Sequence, residues 1–182
     1  MELPEGFEWL ATEPTTRMIE EALRYYGTTE DLSSNNNATI LQWANTIGGN
    51  VADVYKADSV PWCGLYMAIV AKNAGKHVVD EPLWALNWGN FGTLATTPML
   101  GDVLVFTRLT PEGNHAGHVG IYVGENENNY FVLGGNQSDK VCITSMPKSR
   151  LYVCRRPNYH IQPNSVSIRM INNSDVRLDS LA

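Results

Sequence analysis

Apolar residues in the first third of the chain recur at helical spacing. Met18, Ile19, Ala22, Leu23 and Tyr26 make one face of a helix that follows Thr12-Glu13-Pro14-Thr15-Thr16 and stops at Gly27. A polar run from Asp31 to Asn37 has the side chains of an Asx-rich loop. Ile40, Leu41, Trp43, Ala44 and Ile47 then predict a second short helix, closed by Gly48-Gly49. Val60-Pro61-Trp62 is extended, because a residue before proline avoids the α region. Cys63 to Ala74 is a nearly uniform apolar run that predicts a buried helix ended by Gly75. After a stretch rich in proline and tryptophan, Glu81 to Gly92, the period changes. Asp102–Thr107, His118–Gly124, Tyr130–Leu133, Val141–Thr144 and Leu151–Arg155 are short β-rich runs separated by Gly, Asn and Pro.

Helices followed by strands predict an α+β domain with N-terminal helices packed on a central antiparallel sheet. One such domain should span residues 1–157. Beyond Pro157 the chain turns polar, with a single candidate strand at Val166–Ile171. Residues 158–182 are therefore expected to be a tail that docks on a partner.

Composition narrows the partners. The chain has 182 residues, 43% hydrophobic and 18% charged, which suits a globular domain with a real core. Its formal charge is −6, the opposite of what a phosphate backbone attracts, so nucleic acid is not an expected partner. Arg150, Arg155 and Arg156 form the one basic cluster, read as a solvated face. Leu65–Ala71, the longest apolar run, is far short of the roughly 20 residues of a membrane-spanning helix. The start of the chain has no basic segment followed by an apolar one, so synthesis in the cytoplasm without a signal peptide is expected. The three cysteines, Cys63, Cys142 and Cys154, do not make a disulfide framework. Cys142 and Cys154 fall on strands that look adjacent and could pair, although a reducing cytosol favours two buried thiols.

Cys63 is the residue with chemical promise. A thiolate is stabilised by the unpaired N–H groups at a helix start, and Cys63 stands there. Gly64 would let a substrate carbonyl approach backbone N–H donors. His118 opens a strand that can present an imidazole to that helix, and serves as candidate general base. Asn136, at a turn after the next strand, could hold the second ring nitrogen and fix the tautomer, or be no more than a Gly-Asn turn. His115 is a backup base, while His77 and His160 are expected to be exposed. Cys63, His115 and His118 fall short of a zinc set, so neither metal nor cofactor is expected.

The ordered motifs Pro61-Trp62-Cys63-Gly64, Gly101-Asp102-Val103-Leu104-Val105-Phe106, Gly117-His118-Val119-Gly120, Leu133-Gly134-Gly135-Asn136-Gln137 and Arg155-Arg156-Pro157 resemble the CHAP/NlpC superfamily of papain-like cysteine hydrolases. The likeness covers residues 14–157 and is strongest to small phage and prophage members. It implies a papain-like core, Cys63 as nucleophile, His118 as base, Asn136 as orienting residue, no cofactor, and bacterial peptidoglycan as substrate. Trp62, Gln137, Gly135 and Trp88 are the candidates for lining the cleft. His118 lies 55 residues after Cys63, against roughly 130 to 150 in papain itself, which fits the compact bacterial version. Gly134 stands where CHAP proteins carry a glutamate two residues before the asparagine. The resemblance further implies a lytic protein that acts on the wall, released by a holin or carried as a virion component; a phage tail or virion protein is the partner expected for the C-terminal tail. Two other readings share the motifs: a catalytically idle wall-binding or virion module using Trp62, Trp84 and Trp88, and a secreted antibacterial amidase effector.

Overall fold

The computed structural model describes residues 2–31, 33, 35–109, 115–172 and 178, the side chains of 108, 109 and 115 excepted. Four helices precede a six-stranded antiparallel sheet, so the chain is α+β as its periodicity predicts. The helices are α1 (Arg17–Leu23), α2 (Ala38–Ile47), α3 (Gly49–Val54) and α4 (Cys63–Asn73). Thr16 caps α1 through Ile19 N, and Asn37 caps α2 through Thr39 N at 2.8 Å, each side chain meeting an N–H that the helix leaves unpaired. Gly48 ends α2 at φ 77°, but the chain restarts at once as α3, a turn of helix the sequence pattern does not reveal.

The strands are β1 (Thr93–Ala95), β2 (Val103–Leu109), β3 (His115–Glu125), β4 (Asn129–Gln137), β5 (Lys140–Pro147) and β6 (Leu151–Arg156), in the order β1-β6-β2-β3-β4-β5. Period-two alternation divides β2 cleanly. Val103 and Val105 join the core that contains the helices, while Leu104 and Phe106 join a smaller cluster with Tyr122, Val132 and Cys154. α4 is buried from Cys63 to Ala71, as a helix apolar on every side must be, and it packs on β3 and β4. Among the described residues no helix is long and apolar enough to cross a membrane.

Two expectations are corrected here. Cys142 and Cys154 are free thiols on β5 and β6, which the sheet order separates by three strands, so they are not neighbours. Arg155 and Arg156 are half-buried structural groups instead of a solvated face. Arg156 forks onto the fully buried Asp102 at 2.9 and 2.7 Å, and Arg155 donates to the carbonyls of Phe91 and Gly92. The tail, as far as residue 172, is laid along the domain. Ser167 O accepts from Leu100 N, and Glu125 pairs through its own N–H and C=O with Arg169 O and Ile171 N. Arg169 also binds Glu13 at 2.8 Å and stacks 4.5 Å above Trp9. Residues 173–177 and 179–182 of the expected docking segment lie outside the described residues.

Candidate active site

Trp62 offers α4 no side-chain cap, so the N–H groups of its first turn are free to face the Cys63 sulfur. Cys63 is 6% exposed. Burial pushes its thiol pKa up, but a hydrogen bond and charge from His118, with backbone bonds from Val119 and Gly64, outweigh that push and hold it below the ordinary thiol value. Burial likewise disfavours the His118 imidazolium. The hydrogen bond and charge of Cys63 and a bond to Gln137 prevail over burial and over the smaller repulsion from Arg150, so its pKa is raised. Both shifts favour a thiolate–imidazolium pair.

The group behind the imidazole is Gln137. Its Oε1 lies 2.9 Å from His118 Nε2. Its Nε2 donates to the carbonyls of Cys142 at 2.6 Å and Val132 at 3.2 Å, which fixes the amide with oxygen toward the ring. An acceptor there requires a proton on His118 Nε2, leaving Nδ1 for the thiol. A shift of register in the β4–β5 pairing between Gly134 and Gln137 accompanies this placement. A Cβ at Gly134 would stand 2.8 Å from Gln137 Oε1, so glycine leaves room for this amide.

Asn136, expected to orient the ring, turns elsewhere. Its backbone is left-handed at φ 54°. In the orientation that satisfies both neighbours, its Nδ2 donates to Glu30 Oε1 and its Oδ1 accepts from Trp62 N, each at 3.2 Å. Asn136 therefore reaches Trp62, the neighbour of Cys63 on the chain, and leaves the imidazole to Gln137.

None of the expected cleft-lining residues lines the cleft. Trp62 is fully buried against Trp43 and donates from Nε1 to Glu30 Oε1 at 2.7 Å. Trp88 is fully buried and bonded to Pro82 O. Gly135 is buried where a Cβ would strike Tyr66 and Trp62, and Gln137 is 5% exposed behind His118. Gly64 is also reassigned: the space its missing side chain leaves is filled by the carbonyls of Pro82 and Leu83, so it seats that segment beside the thiol. His77 and His160 are exposed, and the side chain of His115 lies outside the described residues.

The cleft over Cys63 is a groove of about 870 Å³, walled by Tyr55, Val60, Leu83, Trp84, Leu86 and Gly117 among others. Sequence reasoning missed most of this wall. Trp84, singled out from the sequence only for the idle wall-binding reading, is 71% exposed on it. Among the described residues no group of three or more His, Cys, Asp or Glu could hold a metal ion. No protein-family model matches the chain, and no curated protein matches it.

Proposed function

We propose that this protein is a cysteine-dependent amidase or endopeptidase of papain-like CHAP/NlpC type that hydrolyses amide bonds of bacterial peptidoglycan, as a phage or prophage lytic protein. The observation that carries the chemistry is the continuous chain from Cys63 through His118 to Gln137 at the foot of an open groove. The motif series of the sequence supports the substrate class and the route to the wall, by holin release or on a virion.

In this reading the Cys63 thiolate attacks an amide carbonyl, and N–H groups at the uncapped start of α4 stabilise the oxyanion. The imidazolium of His118 gives its proton to the departing amine, leaving an acyl-thioester. His118 then takes a proton from water, whose hydroxyl cleaves the thioester to the acid and releases the thiolate, restoring the thiolate–imidazolium pair. Gln137 is a positioning residue, because it touches only the imidazole of this set.

Mass spectrometry of muropeptides released from purified wall tests the proposal. New peptide termini, or stem peptides freed from glycan, are expected with the native protein, and at least about a thousandfold less product with Cys63→Ala. Release by Cys63→Ala at the native rate would exclude the thiol mechanism.

A further inference from the structure

Among the described residues the groove over Cys63 has apolar walls and a single carboxylate. Val54, Val60, Leu83 and Leu86 supply aliphatic surface, and Trp84 stands exposed on it. Glu81 lines the same groove and is exposed. Among the described residues its carboxylate has no hydrogen bond and no ion pair, whereas Glu13, Glu20, Glu21, Glu125 and Asp102 each meet an arginine or lysine. The other oxygen-bearing ionisable group on the wall, the Tyr55 hydroxyl, is already committed to Val60 O at 3.1 Å.

The backbone holds Glu81 in this place against its preference. Its φ of 47° lies in the left-handed region, which costs a non-glycine residue on the order of 1 kcal/mol or more. Trp84 N donates to Glu81 O, closing a turn that puts Glu81 and Trp84 on the same wall. The Asn87 amide donates to the carbonyls of Asp80 and Glu81 and braces the turn. A strained, braced turn that aims an unpaired acid and an exposed indole into one groove is a recognition device.

Resting on the hydrolase reading above, we infer that Glu81 and Trp84 form a subsite for an ammonium-bearing residue of the peptide next to the bond that Cys63 attacks. The carboxylate pairs with the free amine, and the indole covers the aliphatic part of the same side chain. A peptide whose amine is acylated, or whose neighbouring charge is negative, loses the pairing. In peptidoglycan the ammonium belongs to the diamino acid of the stem peptide, so cleavage is directed toward stems with that amine free.

The test uses soluble muropeptides in native form, acetylated on their amines, or succinylated to reverse the charge. Binding is measured to the full chain carrying Cys63→Ala, which reads the subsite without depending on hydrolysis. The native amine is expected to bind about fivefold more tightly than the acetamide, the range of an exposed ion pair, with the preference shrinking as salt is raised. Glu81→Gln should bring the two affinities together, and Glu81→Lys should favour the succinylated form. Trp84→Ala should weaken all three ligands. Equal binding of native and acetylated muropeptides, or a preference that survives Glu81→Gln, overturns the subsite. A preference that disappears with Glu81→Gln in a protein that cleaves no wall keeps the subsite and sinks only the hydrolase reading.

Discussion

The Asp102–Arg156 pair and the Cys63–His118–Gln137 chain are both polar sets anchored on one sheet, the second reaching across to the start of α4, and they differ in whether their bonds close on themselves. Both Asp102 oxygens are taken: Arg156 meets each of them, Met99 N donates to Oδ2 at 2.9 Å, and the Cys154 thiol lies 3.6 Å from the same atom. Nothing is left over for a ligand. At Cys63 the bonds run in one direction, from fixed carbonyls through Gln137 and His118 to a sulfur on an open groove. A Gly-Asp before one strand and an Arg-Arg-Pro at the end of another are equally prominent as text, yet they mark a clamp between β2 and β6. In the proposed reading, reactivity belongs to the set whose last member lines an open groove.

The largest effect that separates the two is on stability. Asp102→Ala leaves the Arg156 guanidinium without its carboxylate beside a buried cavity, and breaking a buried pair from one side typically costs about 3 kcal/mol or more. Urea unfolding should show that loss, and Arg156→Ala should match it by stranding a carboxylate with no exposed surface. The thiol of whatever protein remains folded should keep the native pH dependence of alkylation. Loss of thiol reactivity with stability nearly intact would place Asp102 in the chemistry and erase the contrast.

Gln137→Ala comes next and should act in the opposite sense, on reactivity more than on folding. It removes the acceptor behind the imidazole, and a loss of about a hundredfold in kcat/KM is expected. The sign of the pH effect follows from the shifts. The depressed Cys63 pKa keeps the thiolate at pH values above it and loses it as pH falls through it; the raised His118 pKa keeps the imidazolium below it and loses it as pH rises through it. The ion pair therefore occupies the window between them. Gln137→Ala removes one group that raises the His118 pKa, so the basic limb of the activity profile should move to lower pH. Gln137→Glu, with a carboxylate in that place, should move it higher. NMR titration of His118 reads both shifts, and an unmoved limb in both variants would detach Gln137 from the imidazole.

The elements were legible in the sequence where local physics decides them. Helical spacing located α1 and α2, and the unbroken apolar run with its glycine stop located α4 with Cys63 at its start. His118 was legible because it opens an apolar strand run. What escaped was set by distant contacts. A break in strand register moved the imidazole's partner from Asn136 to the next residue, and no pattern in Leu-Gly-Gly-Asn-Gln reveals a bulge. Tryptophans look like sugar platforms in a sequence, but Trp62 and Trp88 fill the core while Trp84, between them, stays on the surface. The tail's polar composition shows no core pattern, yet two backbone bonds at Glu125, the last residue of β3, hold it to the domain.

The smallest effect is the sharpest test of where the site ends. Asn136 touches Trp62 N and Glu30, so it bears on Cys63 only through the preceding residue. Asn136→Ala gives up two hydrogen bonds, worth about 1 kcal/mol each, and puts a Cβ-bearing residue without Asn's tolerance at φ 54°. Asn136→Gly gives up the same bonds while relaxing the backbone, and comparing the two variants separates amide from conformation. Both should lower stability, the alanine more, while kcat/KM drops by no more than about fivefold, as expected of an indirect contact, and the His118 titration stays in place. A drop as large as that of Gln137→Ala, accompanied by a lowered His118 pKa, would return the orienting role to Asn136 and show that the amide at position 137 is a bystander.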